Sequence, residues 1–176
     1  MGVYHDNLIG TFELTKADTT INRFNAMQMM SQVEYSAYLH KFKSIAKEVS
    51  SGNDLLSLLM PEINYSKKST FYKPEYASFI DYNPQEIQVE IKRGQIISGR
   101  LDKKSIGQGV NDSLFHNVYN EYGVDTAINL IYNMQQVSTK YLMSRGYTIN
   151  YDDIAIDKNI LTKINDITAS IIHESN

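Results

Sequence analysis

The stretch from Ile87 to Tyr122 constrains the fold of this chain more than any other. It begins with apolar and polar residues in alternation over positions 87–92, which predicts a half-buried strand. Arg93-Gly94 supplies a turn, and Gln95–Leu101 predicts a second strand that completes a hairpin. A basic segment punctuated by glycines follows, so the chain turns once more before its next regular element.

That next element is predicted to be a capped helix. Either Asp112 or Ser113 can accept a hydrogen bond from the free backbone amides at its start. Gly123 suits its end, because glycine takes the positive φ of a helix C-terminus at little cost. Its predicted apolar face consists of Leu114, Phe115, Val118 and Tyr122.

Two amphipathic helices are predicted further along the chain. The first is long, ends at Gly146, and has an apolar stripe at helical spacing made of Ala127, Ile131, Met134, Ser138, Tyr141 and Leu142. The second can be capped by Asp157 and has a stripe made of Ile160, Ile164, Ile167 and Ile171. This isoleucine stripe needs a partner surface.

The N-terminal part of the chain has weaker patterns. Residues 1–12 predict an extended segment or a strand, and Thr15 or Asp18 is predicted to begin a helix. The predicted apolar stripe of that helix consists of Ile21, Phe24, Met27 and Val33, with Met29 and Met30 beside it.

The middle of the chain completes the prediction of the fold. Tyr38–Val49 has the spacing of a helix that Ser51-Gly52 would stop, and Asp54–Met60 predicts a short helix before Pro61. Positions 63–82 predict a long loop with short strands. The fold class is therefore α+β, with a small hairpin region packed against several helices, one of them long and amphipathic.

Composition limits the classes of protein to consider. The chain has 176 residues, 42% of them hydrophobic, which suits one domain or one domain with a short neighbour. A net charge of −3 does not favour a free-standing nucleic-acid binder, although it permits a local basic patch. No apolar run reaches the length of about 18 residues that a membrane span needs, and the chain has no recognisable secretory signal. The absence of cysteine excludes disulfides and thiolate metal sites.

Few residues are candidates for chemistry. Asp152-Asp153 favours a turn and a helix cap, because adjacent carboxylates seldom share one metal ion. The four histidines are scattered and lack the spacing of metal ligands: His5, His40, His116 and His173. The pair Lys103-Lys104, taken by itself, is typical of a solvated face.

Three strings within the central stretch carry a resemblance. GQIISG at 94–99, DKKSIG at 102–107 and NEYG at 120–123 resemble the pore domain of the largest subunit of multisubunit DNA-dependent RNA polymerases. That family has a glycine-containing hairpin, a segment such as EKKTVG, a helix with a central histidine, and an ending such as KEYG. His116 occupies the central place here.

Other strings extend the resemblance over most of the chain, in the family's order. MGVYHDNLIG and LTKADT at the N-terminus, SGNDLLS at 51–57 and GYTI at 146–149 are similar to family segments. The resemblance implies a piece of a larger subunit, with a pore domain at 1–153 and the first helix of the funnel at 154–176. The divergent segments and the composition, rich in Asn, Ile and Tyr, resemble those of a polymerase from a large cytoplasmic DNA virus, of the African swine fever virus type.

The resemblance implies a function in transcription. The domain would line the pore by which nucleotides enter and backtracked RNA leaves, with Lys103, Lys104 and Arg100 contacting phosphates. The family's NADFDGD loop, which holds the catalytic metal ions, does not occur in the chain. The chain is therefore predicted to be inactive alone and to need no cofactor itself, whereas the intact polymerase uses magnesium.

The resemblance also implies partners and a compartment. Expected partners are other polymerase subunits, nucleoside triphosphates, the RNA 3′ end and a transcript-cleavage factor, but no membrane. The isolated chain is expected to dimerise or to dock its last helix tightly. A viral enzyme would work in the cytoplasm, in the viral factory or virion, and a cellular one in the nucleus.

Two alternatives remain open on the sequence alone. One is a stand-alone helical interaction module whose isoleucine stripe docks a partner, and the other is a small nucleic-acid-binding module. A longer reading frame that encodes NADFDGD upstream of Met1 would exclude both.

Overall fold

The computed structural model describes residues 1–3, 5–33, 49–73, 83–154 and 158–175. It divides into two compact units, Met1–Arg145 and Gly146–Asn176. The larger unit combines helices with two small antiparallel sheets, so the predicted α+β class is confirmed. The predicted division after residue 153 concerns the family's domains rather than compact bodies, and it stays a prediction.

The larger unit has eleven named elements in its described residues. They are α1 (Asp6–Leu14), β1 (Thr20–Asn22), α2 (Arg23–Met30), β2 (Val49–Ser51), α3 (Gly52–Ser57), β3 (Tyr65–Lys68), β4 (Gln88–Lys92), β5 (Gln95–Ser98), α4 (Lys103–Ile106), α5 (Leu114–Tyr122) and α6 (Val124–Arg145). A single turn of 3₁₀ helix, Pro84–Glu86, precedes β4.

The predicted hairpin is formed by β4 and β5, and β3 adds to it as a third antiparallel strand. Arg93 (φ 48°) and Gly94 (φ 75°) lie at the turn, and both have the positive φ that a tight two-residue hairpin requires. The second strand was predicted to reach Leu101, but it ends at Ser98. Beyond β5, the amide of Gly99 donates to the carbonyl of Gln85 at 2.8 Å. The backbone there is therefore hydrogen-bonded to the 3₁₀ turn instead of to β4.

The long helix α6 is confirmed and forms the backbone of the core. Helices α1, α2 and α5 all pack against it. Its buried residues are Ala127, Leu130, Asn133, Met134, Val137, Ser138 and Tyr141. Helix α5 is also confirmed: the side chain of Ser113 accepts from the amide of His116 at 3.3 Å, and Gly123 follows the helix with φ 84°. Tyr122, predicted on its apolar face, is 41% exposed.

The predictions for the N-terminal part were wrong. Residues 6–14 form helix α1 rather than a strand, and Val3 forms an isolated parallel bridge to Gly107. The helix expected from Thr15 or Asp18 does not begin there.

Strand β1 pairs instead with β2, placing Ile21 opposite Ser50. Helix α2 follows, with Asn22 as its cap. Phe24 and Met27, expected in the core, are 68% and 46% exposed, and the buried residues of α2 are Ala26, Met29 and Met30.

The next two predictions have different outcomes. Most of the predicted helix Tyr38–Val49 lies outside the described residues, and Val49 itself belongs to β2. Ser51-Gly52 does not stop a helix but starts one. Ser51 caps α3 through a reciprocal pair of hydrogen bonds with Asp54, so the predicted short helix exists but begins earlier.

The smaller unit contains α7 (Tyr151–Ile154) and α8 (Lys158–Ser175). The predicted last helix is thus confirmed, although its proposed cap, Asp157, is outside the described residues. The four isoleucines of its stripe are 46–59% exposed. Within the described parts of the chain, no helix has the length and apolar character needed to cross a membrane.

Candidate phosphate-contact site

Lys103 and Lys104 are the first two residues of α4 and both are exposed. The sequence placed them in a turn with flexible glycines; the structure corrects this, because the segment is a helical turn. Its following Gly107 is held by a hydrogen bond from its amide to the carbonyl of Lys103 at 2.8 Å. Across the described ranges, neither ammonium forms an ion pair or a hydrogen bond within the protein.

Asp102 anchors the start of α4. Its carboxylate is the helix cap and only 4% of the residue is exposed. One oxygen, Oδ1, accepts from the amide of Ser105 at 3.0 Å and from its hydroxyl at 2.8 Å. The other, Oδ2, accepts from the amide of Thr70 at 2.7 Å and from its hydroxyl at 2.9 Å. The segment that carries the lysines is therefore tied to the chain just after β3.

Apolar burial fixes the same segment from below. Leu101 and Ile106, on either side of the lysines, are completely buried. The amide of Leu101 donates to the hydroxyl of Thr15 at 3.0 Å, and the carbonyl of Ile106 accepts from the amide of Val3 at 2.9 Å. The two lysines consequently project from a backbone that is held on both sides.

Arg100 differs from the two lysines, because its guanidinium is used inside the domain. Its side chain is 11% exposed and pairs with Glu13, with Glu86 3.8 Å away. Its Nε donates to the carbonyl of Phe12 at 2.7 Å, and the guanidinium lies 3.6 Å from the centre of the Phe12 ring. Burial lowers the pKa of Arg100, while Glu13 and Glu86 oppose that shift. Its predicted contact with phosphate stays a prediction.

Lys67 on β3 holds the chain that follows α4, near Asn111 and Asp112. Its Nζ donates to the carbonyls of Asn111 and Asp112, each at 2.8 Å. The hydroxyl of Tyr65 donates to the same carbonyl of Asp112 at 3.3 Å, and burial raises the pKa of that phenol. Strand β3 and the residues just after it therefore hold the segment 102–112 at both of its ends.

Sequence reasoning missed the hydrogen bonds that hold this segment. The spacing of Asp102 and Ser105 fits a capping residue with a partner three positions on, a local signal that could have revealed the cap. Thr70 and Lys67 lie more than thirty residues before their partners, as the separations of 32 for Thr70–Asp102 and 44 for Lys67–Asn111 show. No local pattern predicts those contacts.

Among the described residues, no donor set for a metal ion surrounds the lysines. In the residues that the structure describes, no three His, Asp or Glu side chains come together in a way that could hold a metal ion. The oxygens of Asp102 are directed at Thr70 and Ser105. The site is thus a pair of exposed ammonium groups on an anchored helical turn, suited to attracting anions.

The described residues thus form an α+β domain with a hairpin, a capped α5, a long α6 and an exposed lysine pair on an anchored turn. The family model described as "RNA polymerase Rpb1, domain 3" matches residues 1–154. The chain belongs to that family.

Curated relatives agree with this assignment. The chain is 27% identical over 181 residues to the DNA-directed RNA polymerase RPB1 homolog of African swine fever virus (strain Badajoz 1971 Vero-adapted), covering 99% of this chain and 12% of that protein. It is 26% identical over 172 residues to RNA polymerase II subunit RPB1-B of Trypanosoma brucei brucei, covering 95% and 9%. The match to RNA polymerase III subunit RPC1 of Debaryomyces hansenii is 28% over 162 residues, covering 85% and 11%. The chain thus spans about an eighth or less of these relatives.

Proposed function

We propose that this chain forms part of the pore of a DNA-directed RNA polymerase, where nucleoside triphosphates enter and a backtracked RNA 3′ end leaves. One observation carries the proposal: Lys103 and Lys104 stand exposed, without a partner among the described residues, on an anchored turn of a chain that belongs to this polymerase family. Their role in the pore is to attract and hold phosphates.

The chemistry suits a passage rather than a specific binding site. A lysine ammonium is a compact charge on a flexible stem, so it can follow a phosphate without fixing its orientation. Contacts to phosphate alone carry no base specificity, which lets one pore serve every nucleotide and any RNA end. Two such charges raise the local concentration of anions, and salt screens the effect.

The remaining functions belong to the rest of the assembly in this proposal. The catalytic carboxylates and their magnesium ions lie in other parts of the polymerase, so no step of nucleotide addition is assigned to these residues. Other polymerase subunits and a transcript-cleavage factor are the macromolecular partners. A polymerase of a cytoplasmic virus would work in the viral factory or virion, and a cellular one in the nucleus.

The test is a purified polymerase that carries Lys103→Ala/Lys104→Ala in this domain. We expect single-nucleotide addition at saturating substrate to persist, because neither lysine is required to touch the catalytic metal ions. We expect backtracked complexes to have an altered lifetime and an altered response to the cleavage factor. The effect should be greatest at low salt, and Lys→Glu at both positions should exceed Ala because it repels phosphate.

The matched control removes two other exposed lysines, Lys92 and Lys163, which lie on β4 and α8. Lys92 already pairs with Glu90 at 2.7 Å. The control should match the wild type in pausing, in cleavage and in apparent nucleotide affinity. If the Lys103/Lys104 variant matches it as well at low salt, the lysines are an ordinary solvated face and the proposal is wrong.

A further inference from the structure

We infer that Asp102 is a positioning residue for the phosphate-contact lysines, acting with Thr70 and Ser105; this inference rests on the proposed function. We call the carboxylate of Asp102 together with these two residues the Asp102 clasp. The clasp sets where the ammonium groups of Lys103 and Lys104 are presented.

The clasp requires a carboxylate. All four groups that contact it are donors: an amide and a hydroxyl from Ser105 on one oxygen, and an amide and a hydroxyl from Thr70 on the other. An ionised carboxylate accepts at both oxygens, whereas the amide of asparagine accepts at only one. Asp102→Asn keeps the shape of the side chain but turns an NH₂ group toward two donors.

The lysines depend on this clasp because α4 is short. A helix of four residues, Lys103–Ile106, has few hydrogen bonds of its own, and helices of such length do not persist without outside support. Asp102 supplies that support at the cap and links it to Thr70. The lysines are the next two residues, so loosening the cap moves both charges together.

Asp102 does not act by pairing with the lysines. Its oxygens lie within ion-pair distance of neither ammonium among the described residues, and each oxygen is occupied by two neutral donors. The clasp therefore positions the two positive charges while leaving them available to an external anion.

The test is a double-mutant cycle in the purified polymerase between Asp102→Asn and Lys103→Ala/Lys104→Ala. The readouts are the lifetime of backtracked complexes and the salt dependence of apparent nucleotide affinity. We expect Asp102→Asn alone to weaken phosphate-dependent effects by about fivefold, the size of a lost helix cap, and to flatten the salt dependence. In the double-alanine background, Asp102→Asn should add nothing.

Thr70 provides a milder pair of variants if Asp102→Asn prevents folding. Thr70→Val keeps the hydrogen bond from the backbone amide to Oδ2 of Asp102 and removes only the one from the hydroxyl. Thr70→Ser keeps both hydrogen bonds. We expect a smaller loss for Thr70→Val, again absent in the double-alanine background, and wild-type behaviour for Thr70→Ser.

The outcomes separate the inference from the function on which it rests. If Asp102→Asn or Thr70→Val causes the same loss with and without the lysines, the clasp is only structural and the inference is overturned, while the pore proposal stands. If Lys103→Ala/Lys104→Ala itself matches the wild type, the proposed function fails and the inference fails with it.

Discussion

Arg100 shows what a single residue does for this fold. Its side chain is 11% exposed, and its guanidinium contacts Glu13 of α1 and Glu86 of the 3₁₀ turn. Arg100→Met would leave the carboxylate of Glu86, whose side chain is 8% exposed, without its cation, while Glu13 would keep its ion pair with Arg145 at 3.1 Å. We expect the free energy of unfolding to fall by about 3 kcal/mol, measured by urea denaturation of the chain followed by circular dichroism. Arg100→Lys should recover only part, because an ammonium lacks the planar fork.

Arg23 offers a control for this prediction. It is the first residue of α2 and is exposed, so Arg23→Ala should change the free energy of unfolding by no more than about 0.5 kcal/mol. Equal stability of the Arg100→Met and Arg23→Ala proteins would show that the buried ion pairs contribute nothing measurable.

At the scale of elements, the start of helix α3 packs so closely against the end of α1 that its first residue has to be glycine, although glycine is a poor helix former. Gly52 is its first residue, where alanine would normally favour the helix. A Cβ added there would lie 1.8 Å from the carbonyl oxygen of Leu14, at the end of α1. We therefore expect Gly52→Ala to lower the free energy of unfolding by about 1 to 3 kcal/mol. The measurement is the thermal midpoint of the chain, which should fall.

Asn53, the next residue of α3, is the matched control for Gly52. Its Oδ1 is buried without a hydrogen-bond partner, so Asn53→Ala removes an unsatisfied group and should be neutral or stabilising. A higher thermal midpoint for Gly52→Ala than for the wild type would mean that helix propensity outweighs the close approach of α1.

The elements that the sequence predicted well are those whose signals are local. The turn at Arg93-Gly94, the cap of α5 and the stripe of α6 each depend on residues a few positions apart, and all are present. Helix α1, which contains Gly10, was missed because residues 1–12 were predicted to be an extended segment or a strand. The structure uses that glycine as a close contact, since a Cβ there would lie 2.7 Å from the carbonyl oxygen of Ser138 on α6.

Strand β1 was missed for a related reason. Its partner is β2, and the register that places Ile21 opposite Ser50 joins residues far apart in the chain. The isolated periodicity of Ile21, Phe24 and Met27 imitated a helix face. Pairing of distant strands overrode that pattern and left the last two side chains exposed.

The candidate site divides in the same way. The lysine pair was found through a resemblance carried by local strings, and its spacing within DKKSIG needed no structure. The contact of Thr70 with Asp102 could not be found, because the sequence offers no signal across the intervening residues. What the fold adds is the difference between two lysines in a mobile turn and two lysines on a fixed one.

At the scale of the whole molecule, the chain carries a large apolar surface on its smaller unit. Helix α8 exposes Ile160, Ile164, Ile167 and Ile171 on one face, each by 46–59%. Burying one isoleucine side chain completely is worth roughly 1.5–3 kcal/mol, so covering this face is strongly favourable. The chain spans 12% of the length of its viral relative.

We expect the 176-residue chain to self-associate through the isoleucine face of α8. Ile164→Asp places a charge at the centre of that face, and a dimer would have to bury it without a partner. Sedimentation velocity at micromolar concentration should therefore show dimer for the wild type and monomer for Ile164→Asp. Ala169→Asp introduces the same residue on the opposite side of α8 and should leave the dimer intact. Identical sedimentation of all three proteins would mean that this face does not drive association, whereas loss of dimer in both variants would point to charge on the helix rather than to the isoleucine stripe.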